Sequence, residues 1–176
     1  VQGQFGLTVL DEDFTALGAN ASLIMALDKE GGLSASTDGG QTFSQRVLAG
    51  DVVSDPSAEF EAVAVRGMSA VAVGVDGLIV RTGNGGQSWE PASSPVLLGS
   101  LYDVAARGSA NSGGTWVAVG DAGFDAAIYR SSDGGSSWSA PSAPSGLLLR
   151  GVVCAGSRWV EFGADCLGMQ GRCYTS

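Results

Sequence analysis

The chain has 176 residues, of which 28 are glycine and none is histidine, and its 18 acidic side chains outnumber nine basic ones to give a formal net charge of −9. That charge disfavours nucleic acid and anionic membranes as partners, and the absence of histidine excludes Ser–His and Cys–His catalysis within the chain. No apolar run reaches the length of a membrane-spanning helix. We therefore expect no nucleic-acid partner, no membrane span, no metal site and no cofactor.

In chain order, the sequence predicts short β-strands separated by glycine-containing turns. A strand is expected in residues 1–9, and the next segments, "DFTALGA", "SLIMALD", "LSASTDGG" and "QTFSQRV", form one unit of four strands, A to D. Similar units follow twice, and a last unit ends after its strand C. The predicted units cover residues 14–46, 59–92, 100–141 and 148–176.

An eight-residue motif marks the turn between strands C and D. It reads "STDGGQTF" at 36–43, "TGNGGQSW" at 82–89 and "SSDGGSSW" at 131–138, so its acidic or amide position recurs at near-constant spacing. Asp and Asn side chains accept main-chain N–H bonds in turns, and glycine supplies positive φ. We predict a structural role for the motif, with its aromatic residue packed between sheets. The positions concerned are Ser36, Asp38, Gly40, Phe43, Thr82, Asn84, Gly86, Trp89, Ser131, Asp133, Gly135 and Trp138.

Four-stranded antiparallel units repeated in series are typical of the blades of a β-propeller. We therefore predict an all-β chain, a single propeller domain or propeller segment over residues 1–176 with about four blade equivalents. Residues 1–9 are placed to complete the last blade. Three arrangements remain open: a small closed ring, a half-ring completed by a second copy or another chain, and a segment of a longer protein.

The motif resembles the Asp-box, or BNR, repeat of β-propeller proteins. The order of residues 71–89, "VAVGVDGLIVRTGNGGQSW", is most similar to photosystem II assembly-factor-like, sortilin-like and unassigned secreted bacterial groups. True sialidases carry an Arg-Ile-Pro segment that is missing here. Arg66, Arg107 and Arg150 fall at opposite ends of strand A, so no arginine triad is expected, and Arg66 and Arg107 are interpreted as solvated turn residues.

Binding residues are expected in the loops opposite the Asp-boxes, because loops on a rigid scaffold carry most recognition. The candidates are Asp51, Asp55, Asp121, Phe124 and Asp125. Asp121 fits ordinary turn chemistry as well as binding, whereas Asp125 and Phe124 belong to a B–C loop that the sequence predicts to be longer than its counterpart at 76–78. We expect no catalytic residue among them.

Cys166 and Cys173 flank a plausible hairpin turn, so a cross-strand disulfide and free thiols are both open. The possible disulfide and the single lysine are compatible with a secreted, periplasmic or cell-surface location. The favoured hypothesis is a non-catalytic binding, scaffolding or assembly propeller with a protein or glycan partner, or one that self-associates. The alternatives are a fragment of a carbohydrate-active enzyme and a structural subunit of a surface layer or filament.

Overall fold

The computed structural model describes residues 13–44, 46–95, 99–108, 114–165 and 170–175, which form four antiparallel sheets in chain order. The first two sheets have four strands each: β1 (Phe14–Ala19), β2 (Ile24–Asp28), β3 (Gly32–Ser36) and β4 (Val47–Leu48), then β5 (Phe60–Arg66), β6 (Ser69–Gly74), β7 (Ile79–Thr82) and β8 (Glu90–Pro91). A short helix, α1 (Ala49–Val53), follows β4, and a 3₁₀ turn at Val75–Gly77 joins β6 to β7.

The third and fourth sheets each have three strands among the described residues. They are β9 (Leu101–Arg107), β10 (Thr115–Ala122) and β11 (Asp125–Ser131), then β12 (Leu147–Ala155), β13 (Arg158–Asp165) and β14 (Gly171–Thr175). In the third sheet the predicted strand D is reduced to one bridge, Arg130 with Ser139. The predicted strand at 1–9 lies outside the described residues.

The four sheets pack face to face as blades, which confirms the predicted all-β propeller fold. Three apolar clusters fill the spaces between successive blades, around Met25 and Val80, around Val71 and Trp116, and around Val119 and Trp159. Burying each such side chain contributes about 1.5–3 kcal/mol, so stacking of blades is the main source of stability. The inner strands β1, β5, β9 and β12 contact in that order, and the described residues of β1 and β12 make no comparable contact. Among the described residues, the first and fourth blades therefore do not pack on each other as successive blades do.

The Asp-box aromatic residues differ in how deeply they pack. Trp138 is buried between the second and third blades, as predicted, and its Nε1 donates to the carbonyl of Gly135 at 3.0 Å. Trp89 is half-buried against the cluster between the first two blades. Phe43 is also half-buried and stacks on the ring of Phe14, with centroids 6.5 Å apart.

Cys173, for which a disulfide with Cys166 and a free thiol were both open, lies in the hairpin of β13 and β14. Cys173 is a free, exposed cysteine that pairs in register with Phe162, and Cys166 lies outside the described residues. The main-chain N–H of Asp165 donates to the carbonyl of Gln170 at 3.1 Å.

Candidate functional site

The turns between strands C and D lie at one end of the blades, which we call the box face, together with the turns between strands A and B. The turns between strands B and C and the connections from strand D to the next strand A lie at the other end, which we call the loop face. These two faces separate the Asp-boxes from the predicted binding residues.

Each Asp-box on the box face is closed by hydrogen bonds within the motif. The buried hydroxyl of Ser131 donates to Asp133 Oδ1 at 2.8 Å and accepts the N–H of Gly135 at 3.0 Å. Asp133 also accepts the N–H and the hydroxyl of Ser137 at 3.0 and 2.6 Å. Partial burial raises the pKa of Asp133, but these hydrogen bonds outweigh it and hold the pKa at about 2. The first box repeats the arrangement with Ser36, Asp38 and Thr42.

The second box achieves the same closure with an amide. Asn84 Oδ1 accepts the hydroxyl of Thr82 and the N–H of Ser88, and Asn84 Nδ2 donates to Ser88 Oγ at 2.9 Å. The direction of this last hydrogen bond is opposite to that in the other two boxes, because the aspartate carboxylate accepts from the serine or threonine hydroxyl whereas the Asn84 amide donates to it. The box oxygens are thus occupied by the turn itself in both versions.

The box glycines are fixed by backbone geometry and by the neighbouring blade. Gly40, Gly86 and Gly135 have φ of +88°, +86° and +85°, a region that side chains other than glycine rarely adopt. A Cβ on Gly135 would also lie 2.7 Å from Val71 Cγ2 in the preceding blade. The boxes of the second and third blades therefore turn the chain and anchor it to the preceding blade.

Two of the predicted binding residues stabilise the longest loop of the loop face. Asp51 accepts the N–H of Leu48 at 3.1 Å at the start of α1. Asp55 accepts the N–H and the hydroxyl of Ser57 at 2.9 and 2.7 Å, which lowers the pKa of its carboxyl. Asp51 lines a cleft of about 500 Å³ together with Glu30 and Glu59, whereas Asp55 does not line it.

Asp121 belongs to a cluster that joins the third and fourth blades. Its carboxylate accepts a hydrogen bond from the hydroxyl of Tyr102, and the guanidinium of Arg150 stacks on the Tyr102 ring. Tyr102 and Arg150 were not predicted as site residues. Their separation of 48 positions, close to the repeat period, is the sequence signal that places them side by side in neighbouring A strands.

Asp125 and Phe124 lie at the tip of the hairpin of β10 and β11. The structure corrects the prediction of a longer loop, because the strands extend until Ala122 pairs with Asp125 and leave a two-residue turn. Asp125 Oδ1 accepts the N–H of Gly146 at 2.9 Å, which ties this turn to the connection before β12. Phe124 projects from it with 80% of its surface exposed.

The three arginines near strand A also depart in part from prediction. Arg66 is buried, not solvated, and its guanidinium lies so close to Gly114 that a Cβ there would come within 2.3 Å of it. Arg107 lies over the ring of Trp159 at 5.3 Å from the centroid and bonds to the carbonyl of Ser157. Arg150 is at the opposite end of the blades. These arginines join neighbouring blades and do not converge on one ligand.

No pair of predicted acidic residues faces another across a shared cleft in the described parts of the chain. Asp51 lines the first cleft, and Asp125 lines a different one of about 420 Å³. Burial raises the pKa of Asp103, but its carboxylate accepts the main-chain N–H groups of Val152 and Val104, which is a structural role. Within the described residues, no group of three or more potential ligands is arranged to hold a metal, and no helix is long and apolar enough to cross a membrane.

The repeated blades and their Asp-boxes define the class of protein: a β-propeller of the Asp-box type. A family model described as photosynthesis system II assembly factor YCF48 matches residues 2–153. The chain belongs to that family. Comparison with curated protein sequences gives no match.

Solved structures show the same fold at low sequence identity. YCF48 bound to D1 peptide is 19% identical with a TM-score of 0.57, over 91% of this chain and 52% of that one. YCF48 from Cyanidioschyzon merolae is 16% identical with a TM-score of 0.59, over 94% and 59%. The GH74 enzyme of Niastella koreensis is 22% identical with a TM-score of 0.66, over 93% and 28%. The chain thus spans little more than half of either YCF48 structure, and these likenesses concern the fold alone.

Proposed function

We propose that the chain is a non-catalytic assembly module that binds a protein partner through its loop face. The observation that carries this proposal is the exposure of Phe124 at the tip of a hairpin whose neighbouring carboxylate, Asp125, is already bonded to Gly146. A large aromatic side chain held in water on a rigid turn is a typical anchor for a protein interface. Membership of the YCF48 family supports the same direction.

The kind of partner is suggested by a similar structure. YCF48 has been solved with a D1 peptide, so the family fold accommodates a peptide ligand. We propose that this chain likewise recognises a segment of another protein. A glycan partner is the outcome to be distinguished from it, because an exposed aromatic ring also stacks on sugars.

Self-association through the outer faces of the first and fourth blades is part of the proposal. Leu17 on β1 is 65% exposed, and Val153 and Phe162 on the fourth blade are 51% and 47% exposed. Blade faces elsewhere in the chain are covered by the next blade, so a further blade is the natural cover for these. A second copy of the chain supplies such a face.

We also propose an extracytoplasmic location, for which the single lysine among 176 residues gives compositional support. Fractionation of cells that express the native gene with an epitope tag tests this. Recovery with cytoplasmic markers would contradict it.

The binding proposal is tested by affinity enrichment from native membrane and soluble fractions with the whole chain as bait. We expect one protein to be recovered specifically and its affinity to fall about 30-fold or more with Phe124→Ala, since anchor residues contribute about 2 kcal/mol or more. Met68→Ala, at an exposed position of the box face, is the matched control and should bind normally. Equal recovery by both variants, or binding only to a glycan array, would overturn the proposal.

A further inference from the structure

The outer edge of β11 differs from the equivalent edges in the first two blades. There, strand C is covered by a short fourth strand, β4 or β8. In the third blade the cover begins in the same way, because Arg130 and Ser139 exchange two main-chain hydrogen bonds of 2.9 Å. Beyond Ser139, the ladder stops.

A proline explains why it stops. Ile79 in the second blade accepts a 2.9 Å hydrogen bond from the N–H of Ala92. Adding the 49 residues that separate the second and third Asp-boxes converts these positions to Ile128 and Pro141. Proline has no N–H, so the bond that closes the second blade cannot form in the third.

The main-chain groups of Ile128 consequently face an open edge. Main-chain N–H and C=O groups alternate in direction along an antiparallel strand. Those of Arg130 and Ala126 point outward, to Ser139 and to the carbonyl of Pro144 at 3.4 Å, so those of Ile128 between them point the same way. No described residue bonds to them on that side. Such groups are ready to pair with an extended chain.

A cleft lies directly at this edge. The connection from Ser139 to Pro144 bows away from β11 and leaves a volume of about 420 Å³, lined among others by Ala126, Ile128, Ala140, Pro141 and Ala143. These small aliphatic walls suit small apolar side chains. Asp125 lines one end of the cleft, and Phe124 projects beside it.

We propose that this cleft binds a short extended peptide segment of the protein partner, which continues the fourth strand that Ser139 begins. One residue of the segment donates its N–H to the carbonyl of Ile128 and accepts the outward N–H of Ile128 with its own carbonyl, and a small apolar side chain lies against Ala126 and Ala140. A basic residue of the segment lies toward Asp125, in keeping with the net charge of −9. This inference rests on the proposed function and assigns it a site and a ligand chemistry.

The test uses the whole ¹⁵N-labelled chain and the blocked peptide acetyl-Ala-Val-Ala-Val-Lys-Lys-amide at up to millimolar concentration. We expect the amide resonance of Ile128 to shift on titration. Pro141→Ala restores an N–H opposite Ile128, so its residue-141 amide should become protected from hydrogen exchange like that of Ala92. Peptide affinity should then fall about tenfold, the cost of losing one main-chain hydrogen bond with its contacts.

Two controls separate the edge from the loop and from charge. Pro144→Ala changes a proline of the same connection but leaves the Ile128 edge open, so it should bind the peptide normally. A peptide with Glu-Glu in place of Lys-Lys should bind more weakly. An unshifted Ile128 amide, or equal affinity in Pro141→Ala and the unchanged chain, would overturn the inference.

The partner recovered by affinity enrichment distinguishes the two levels of proposal. If that partner binds the chain and Pro141→Ala equally well, the binding function stands and the edge site is wrong. If no partner is recovered but the Ile128 amide shifts with the Lys-containing peptide, the edge site stands without the proposed function.

Discussion

The guanidinium carbon of Arg150 lies 4.0 Å from the ring centroid of Tyr102, whose hydroxyl donates to the carboxylate of Asp121. The hydrogen bond to Asp121 is the main cause that raises the pKa of Tyr102 above its ordinary value of 10.0. A tyrosine whose pKa is higher in the folded protein than in the unfolded chain stabilises the fold at lower pH. This contribution to the free energy of unfolding is lost as the pH rises past 10. The contact that these three side chains make between the third and fourth blades therefore weakens at alkaline pH.

We expect Asp121→Asn to lower the pKa of Tyr102 towards its ordinary value, because the carboxylate that holds the phenolic proton is replaced by a neutral amide. Absorbance titration of the phenolate measures this, with Tyr102→Phe identifying which of the three tyrosines is observed. An unchanged titration in Asp121→Asn would show that the hydrogen bond is not formed.

The buried carboxylate of Asp28 makes stability fall in acid. Hydrogen bonds from the Arg46 guanidinium are the main cause that lowers its pKa from 3.8 to about 2. A lowered pKa in the folded state stabilises the protein above about pH 4, and this contribution is lost as the pH falls towards 2. We expect Asp28→Asn to lower the free energy of unfolding by about 2–3 kcal/mol at pH 7. In urea unfolding, the stability of this variant should also fall less between pH 4 and pH 2 than that of the unchanged chain.

Asp13→Asn is the matched control for that experiment. Asp13 pairs with Lys29 at 2.6 Å, but both side chains are more than half exposed, at 79% and 59%. Such surface pairs contribute about 0–1 kcal/mol, so this variant should unfold nearly as the unchanged chain does. Equal losses in both variants would contradict a special role for Asp28.

The second Asp-box predicts how the third responds to mutation. Since Asn84 closes its box with an amide, Asp133→Asn should retain most of the stability, with the amide donating to Ser137. Asp133→Ala leaves the buried Ser131 hydroxyl without its acceptor and should cost about 1–2 kcal/mol. Urea unfolding at pH 7 measures both, and a larger loss for asparagine than for alanine would refute this interpretation.

Glycine substitutions separate backbone strain from packing in the boxes. Gly39→Ala meets nothing within 4 Å and should show only the strain of φ +75°, about 1–2 kcal/mol. Gly135→Ala adds a clash with Val71 across the blade interface and should cost about 1–3 kcal/mol more. Thermal unfolding followed by circular dichroism gives the difference, which should vanish in a Val71→Ala background.

The exposed face of the fourth blade predicts concentration-dependent self-association. Phe162→Lys places a charge where a second blade would stack, so we expect the associated fraction to decrease in sedimentation equilibrium. Phe124→Ala, on the loop face, should leave association unchanged. A monomer mass for the unchanged chain at all concentrations would contradict the proposal.

The blades were predictable because their signals are local. Each Asp-box is defined by eight consecutive residues, and glycine marks most of the other turns, so strand order followed from spacing alone. The same local reasoning missed the burial of Arg66, which depends on Gly114 in the next blade. It also missed the stack of Arg150 on Tyr102, because no single segment contains both residues.

The incomplete third blade could be predicted only in part from the sequence. Pro141 is visible in the sequence, but its consequence depends on knowing that Ala92 bonds to Ile79 in the blade before. The predicted binding carboxylates Asp51, Asp55 and Asp125 each accept a main-chain N–H group, which the sequence did not indicate. Acidic composition alone does not distinguish a ligand site from a capped turn.

The hydrogen bonds of the Asp-boxes have a consequence for how the chain folds. Ser36 to Gly40 and Ser131 to Gly135 are contacts between residues only four positions apart. Contacts of such short range close quickly, before the distant blades meet. We therefore expect each box to form early as a preassembled corner, so that the rate of folding is set by the later docking of one blade on the next.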